Sequence, residues 1–320
     1  MLSRSILKKI YIAFGTLLGI LLCLLGYLLF PYTLPAASGE FTLIAHRGVH
    51  QTFPLDGLEN DTCTASIMNT PTHEYLENTI PSIRKAFESG ANIVEIDIHP
   101  TTDNRLAVFH DWTIDCRTNG KGVTREQSME YLKTLDIGYG YTADGGKTFP
   151  MRGKGIGMMP TIEEVLDAFP GKKFAVNQKD TFDRTTDLLA SVLEKYPVNT
   201  RENIYYYTAT KQYELLKAKT PEVKKDMPTR GEEKACIPEY LGMLFTGKVT
   251  ENCRRYIMGI PARYLIYAPG WPNLFLMRAR QADLKVYIID VDSREEYEYL
   301  RSLPIDGITT NKIELMDSFE

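Results

Sequence analysis

The chain has 320 residues, of which 43% are apolar and 24% charged, with a net charge of −4. That length allows one large α/β domain or two ordinary ones, and that balance excludes a disordered chain. Lys and Arg are scattered, with no basic run interleaved with aromatics, which argues against a nucleic-acid partner.

Residues 10–30 contain no charge and, as a helix, would cover the roughly 30 Å hydrocarbon core of a bilayer. Arg4, Lys8 and Lys9 precede the stretch and the first acid after it is Glu40. The positive-inside rule then keeps residues 1–9 in the cytoplasm, makes 10–30 a single anchor and 31–40 a linker, and places residues 41–320 outside. A cleavable signal peptide is the alternative, since "LPAAS" offers small residues. Either way the domain meets an oxidising compartment. Cys63, Cys116, Cys236 and Cys253 allow three disulfide pairings there, or simply buried thiols, and no pair has metal-knuckle spacing.

After the linker, strand and helix patterns alternate. "TLIA" (42–45) reads as a strand, and a long polar insertion over 49–75 separates it from a helix over 80–90 with Pro81 in its first turn. Strands follow at 92–98 and 106–109, then a helix over 161–169 opened by a Thr161–Glu164 capping box. Further strands are expected at 173–177, 203–207, 263–267, 285–290 and 306–310. Helices are expected over 183–196, 211–220, 273–282 and 294–303. The glycines in "GKGIGMMP" (153–160) follow no strand and read as a loop, so an open dinucleotide-binding sheet is the weaker alternative. About eight strand–helix units in about 280 residues predict a (β/α)8 TIM barrel behind a single N-terminal transmembrane helix.

In such a barrel chemistry collects at the carboxyl ends of the strands. Here those ends carry His46 and Arg47, then Glu95 and Asp97, then His110 and Asp111, then Asn177 and Lys179. Glu95 and Asp97 lie two apart and so share one face, in register with Ile93 and directed into the barrel. Two buried carboxylates require compensation, by a hard cation such as Mg²⁺ or Ca²⁺ or by salt bridges to Arg47 or Lys179. His46 and His110 lie on different strands and suit an acid–base pair, and Arg47 and Lys179 suit an anionic phosphate.

These motifs resemble the glycerophosphodiester phosphodiesterase family. The matching runs are "AHRG" (45–48), "ENT" (77–79), "GANIVEIDI" (90–98), "TTDNRLAVFHDWTID" (101–115), "TNGKG" (118–122), "PTIEEVL" (160–166) and "DGITTN" (306–311). "LENDT" (58–62) imitates "LENT" (76–79) but has no helix after it. The resemblance implies a TIM barrel that hydrolyses glycerophosphodiesters to an alcohol and glycerol phosphate. It implies His46 and His110 as the acid–base pair, Glu95 and Asp97 as metal ligands, and Arg47 and Lys179 at the phosphate. The glycerol 2-hydroxyl would attack phosphorus through a cyclic intermediate.

Three departures stand out. Asn177 occupies the place of the family's third acidic metal ligand, which predicts weaker metal binding. Ile288, Ile289 and Asp290 replace a Trp-Thr pair, so an aromatic wall would come from Trp112, Tyr207 or Trp271. The insertion carrying Cys63 and the loop carrying Cys116 should rise from one face, which predicts a Cys63–Cys116 disulfide pinning the insertion over the site. The substrate is thus expected to be a small phosphodiester. Alternatives are a lysophospholipase D acting on membrane lipids and a non-catalytic barrel that binds phosphodiesters.

Overall fold

The computed structural model describes residues 4–36, 41–59 and 62–316. Eight strands form one sheet: β1 (Thr42–Ala45), β2 (Ile93–Pro100), β3 (Leu106–Val108), β4 (Lys173–Gln178), β5 (Ile204–Tyr207), β6 (Met258–Pro261), β7 (Val286–Ile289) and β8 (Gly307–Thr310). Seven run parallel in the order β5-β4-β2-β1-β8-β7-β6. Residues 224–226 carry the sheet from β5 round to β6. Lys224 exchanges backbone hydrogen bonds with Ile204 and Tyr206, and the Asp226 carbonyl accepts from Ile257 N–H. The result is a TIM-barrel α/β fold.

Three expectations about elements need correction. "LAVF" is not a barrel strand, because β3 pairs antiparallel with β2, Ile98 opposite Val108. The reason is spacing: a parallel crossover needs a dozen or more residues, and only five separate Pro100 from Leu106. "RYLIY" is not a strand either; residues Ala262–Tyr267 form a 3₁₀ helix with Ile266 and Tyr267 exposed, and the strand is the preceding Met258–Pro261. Gly259 and Pro261 disguise that strand. Thirdly, a 17-residue helix, Arg230–Thr246, was not expected, because Gly231, Pro238 and Gly242 interrupt its pattern. A Thr229–Glu232 capping box starts it and Gly247, at φ 65°, ends it.

The alternation along each strand decides what points inward. Ile44, Ile93, Ala175, Ile257 and Tyr287, with Tyr205 against them, fill the lower barrel interior. Two residues further along their strands the same face presents His46, Glu95, Asn177 and Tyr207. A separate core joins the insertion to the loop after β3, through Ala65, Met68, Leu76, Phe109 and Ile114 among others. Cys63 is bonded to Cys116 across that core, with Cα atoms 5.5 Å apart, and Cys236 to Cys253 beside helix Arg230–Thr246.

Helix Arg4–Leu29 is long and apolar enough to cross a membrane, a property a signal sequence shares. Its last turns touch the barrel. The Tyr27 hydroxyl donates to the Leu244 carbonyl at 2.6 Å and accepts from Arg278 Nη2 at 2.8 Å.

Candidate active site

The turn after β1 builds the first half of the site. His46 is tied to β8 by its N–H to the Thr310 carbonyl, 3.0 Å. Arg47 then adopts φ 56° and Gly48 φ 77°, both left-handed. A Cβ on Gly48 would lie 2.3 Å from Ser82 Oγ, so only glycine allows this turn to press against helix Ile80–Glu88. The turn folds the Arg47 side chain back over β2. The Arg47 backbone N–H donates to Glu95 Oε2 (3.2 Å) and the side-chain Nη1 to Glu77 Oε1 (3.2 Å), while Nε lies 3.5 Å from Asp97 Oδ2.

Asp97 is wholly buried and surrounded by donors. Asn78 Nδ2 donates to Oδ2 and Asn177 Nδ2 to Oδ1, each at 3.0 Å, and Lys179 Nζ lies 3.4 Å from Oδ1. Burial opposes ionisation, but Lys179, His110 and Arg47 outweigh it and hold the carboxyl well below its ordinary range. Glu95 is the opposite case. Burial first, and the Asp97 charge second, push its carboxyl up to about 8. Among the described residues no Lys or Arg side chain pairs with it, and His46 Nε2 stands 3.9 Å from Oε2. Both sequence readings of this carboxylate pair therefore apply in part: Asp97 has its cations, and Glu95 does not.

Each imidazole is held by a different relay. Arg47 Nε donates to His46 Nε2 at 3.2 Å, so the His46 proton sits on Nδ1 and goes to Asn311 Oδ1, 2.7 Å away. Asn311 is in turn fixed by Asp292, through its N–H (2.7 Å) and its Nδ2 (2.9 Å). His110 Nδ1 instead donates to the Asp111 carboxylate at 2.8 Å. Arg117 Nε donates to the far oxygen of Asp111, also at 2.8 Å, and Arg117 Nη1 lies 3.1 Å from Glu77 Oε2. The Arg117 guanidinium is completed by Tyr141 OH and by Thr64 Oγ1, the neighbour of Cys63. Burial and the Arg47 charge depress both imidazoles, while Asp97 acts on both in the opposite sense.

Comparison with known proteins supplies the reaction class. A sequence model described as the glycerophosphoryl diester phosphodiesterase family matches residues 46–315. The chain belongs to that family. A glycerophosphodiester phosphodiesterase of Caldanaerobacter subterraneus subsp. tengcongensis is 27% identical over 241 residues, covering 75% of this chain and 90% of that protein. The solved glycerophosphodiester phosphodiesterase of Agrobacterium tumefaciens shares the fold, with TM-score 0.59 at 18% identity over 88% of this chain and all of that one. So does an Oleispira antarctica phosphodiesterase solved with its product sn-glycerol-3-phosphate, with TM-score 0.55 at 18% identity over 86% and 96% of the two chains.

This phosphodiesterase is a phosphoric diester hydrolase, which sets aside the non-catalytic barrel. The structure brings His46, Arg47, Glu95, Asp97, His110, Asn177 and Lys179 to one end of the barrel. Of the proposed aromatic walls, Tyr207 lies opposite Asn177 in the sheet. Trp112 stands over His99, ring centroids 5.7 Å apart, beside His110. Trp271 packs on Phe275 instead, outside the sheet. Reading strand ends alone assigned no role to Glu77, Asn78, Asp111, Arg117, Asp292 or Asn311. Four of the six had a signal, because Glu77, Asn78, Asp111 and Asn311 lie in the runs "ENT", "FHD" and "TTN".

Proposed function

We propose that this phosphodiesterase hydrolyses glycerophosphodiesters to an alcohol and glycerol phosphate by acid–base catalysis between His46 and His110. The observation that carries this is that His46 and His110, from two separate loops, both feel the Asp97 charge with Nδ1 already committed, so proton transfer falls to Nε2, which in His46 accepts from Arg47 Nε until substrate takes its place. The two relays assign the roles. His110 backs onto a carboxylate, which favours its imidazolium, so it protonates the leaving oxygen. His46 backs onto the neutral Asn311 amide beside Arg47, which favours the free base, so it takes the proton from the attacking glycerol 2-hydroxyl. Arg47 and Lys179 receive the phosphate charge.

Glu95 and Asp97, with the Asn177 amide oxygen as a weaker third donor, suit a hard divalent cation, Mg²⁺ or Ca²⁺. The fit rests on Glu95, whose ionisation a cation would complete. Among the described residues no group of three His, Cys, Asp or Glu side chains gathers to hold a metal, in keeping with an amide at position 177. A bound cation would neutralise charge on the phosphoryl oxygens.

Glycerol phosphate release from glycerophosphocholine, with and without EDTA, tests the reading. His46→Ala and His110→Ala should each lower kcat/KM by about 10²–10⁴-fold. Full activity in either variant would overturn the pair. Membrane attachment through helix Arg4–Leu29 favours a second reading, a lysophospholipase D, and turnover confined to micellar lysolipid would support it.

A further inference from the structure

We infer that the outward face of helix Arg230–Thr246 rests on a lipid bilayer, an inference that depends on reading Arg4–Leu29 as a membrane anchor. Ile237, Leu241 and Phe245 are 46%, 52% and 58% exposed. Their four-residue spacing makes one stripe along the helix. This is not the packing face, which consists of Cys236, Tyr240, Met243 and Leu244. The helix is therefore apolar on both sides, the arrangement that a surface helix in water avoids.

Charge selects the occupant. The exposed positions of this helix include Arg230 and Lys234 and no acid, its three glutamates being half-buried. Two of its three carboxylates are engaged sideways: Glu232 takes Lys225 and Tyr256, and Glu239 takes the N–H and hydroxyl of Thr250, while Glu233 is half-buried. An apolar stripe with a basic end suits an anionic bilayer surface. The lipid is also brought there by the chain itself. Phe245, the last residue of the stripe, stacks on Tyr27 of the N-terminal helix, with centroids 5.8 Å apart and planes 15° from parallel. The stripe thus continues the anchor, and the tether lets a small apolar contact suffice. At the other end, Arg230 and Glu233 act electrostatically on Tyr207 at the end of β5. Docking of this face places the barrel mouth beside the membrane.

The test uses the full chain in vesicles of phosphatidylcholine and phosphatidylglycerol. Cys23 is the free thiol, and the other four cysteines are paired. In a Cys23→Ser background, Leu241→Cys carries an environment-sensitive fluorophore, and the exposed Ser191→Cys is the control. A lipid-borne quencher should reduce emission at 241 about twofold more than at 191, and Lys234→Glu should diminish the difference. Unchanged glycerophosphocholine turnover verifies folding of each variant. A chain removed from vesicles by carbonate defeats the anchor reading and this inference with it. A chain that stays embedded but shows equal quenching at both positions defeats docking alone. Shielding at 241 from a water-soluble quencher that vanishes on diluting protein in lipid assigns the face to a second copy instead, and also overturns the inference.

Discussion

Asn177 and Glu95 set the chemistry of the site at the scale of single residues. Asn177 donates its amide to Asp97 where the family resemblance implies an acid. Asn177→Glu should tighten Mg²⁺ or Ca²⁺ binding about tenfold or more by titration calorimetry, since it adds a charged oxygen ligand. Unchanged affinity and activity would count against the assigned ligand set. Glu95 gives a pH prediction. Its carboxyl is raised from 4.5 to about 8, so the folded chain binds this proton more tightly than the unfolded chain. The stability this contributes is complete below about pH 4.5 and is lost as pH climbs through about 8. A cation replaces the proton, so the rise in Tm on adding Ca²⁺ or Mg²⁺ should be larger at pH 8 than at pH 6. A rise of equal size at both would rule out Glu95 as the coupled group.

Elements matter because the second imidazole is held by loops. The insertion after β1 and the loop after β3 are joined by Cys63–Cys116, whose neighbours Thr64 and Arg117 are hydrogen-bonded to each other. Arg117 is the buried cation between Glu77 and Asp111. Arg117→Met would strand two buried carboxylates and should cost about 3–5 kcal/mol in urea unfolding. It should also shift the alkaline limb of the pH–rate profile, because Asp111 no longer holds His110, the general acid, in one orientation. A stable variant with an unaltered profile would contradict that role. The sequence was least legible here. The motif runs marked Glu77 and Asp111 but not Arg117, and nothing local in Arg117 announces that Glu77, forty residues earlier in the chain, is its partner. Likewise "RYLIY" has strand propensity and forms an exposed 3₁₀ turn, because its side chains face solvent instead of the sheet.

The whole molecule joins a barrel to an apolar helix. Helix Arg4–Leu29 is read as an uncleaved anchor with the barrel outside the cytoplasm. Membranes washed in carbonate should therefore retain the chain, and intact mass should include its N-terminal segment. Release of a chain beginning near the linker would make the segment a signal peptide.

From the sequence alone one can read the direction of each strand-end side chain, since alternation along a strand is a local property. That was enough to put His46, Glu95, Asp97, Asn177 and Lys179 on the inner face, and to separate an apolar N-terminal helix from a globular barrel. Tertiary structure alone decided who meets whom. Only the register of β2 on β4 sets Asp97 against Asn177. Only the left-handed turn at Arg47 and Gly48 swings a guanidinium across Glu77 and Asp97 while the Arg47 backbone N–H meets Glu95. The physical reason is that these contacts span tens to hundreds of residues, where loop path and sheet register, which no short window encodes, fix the distances on which charge and proton position depend.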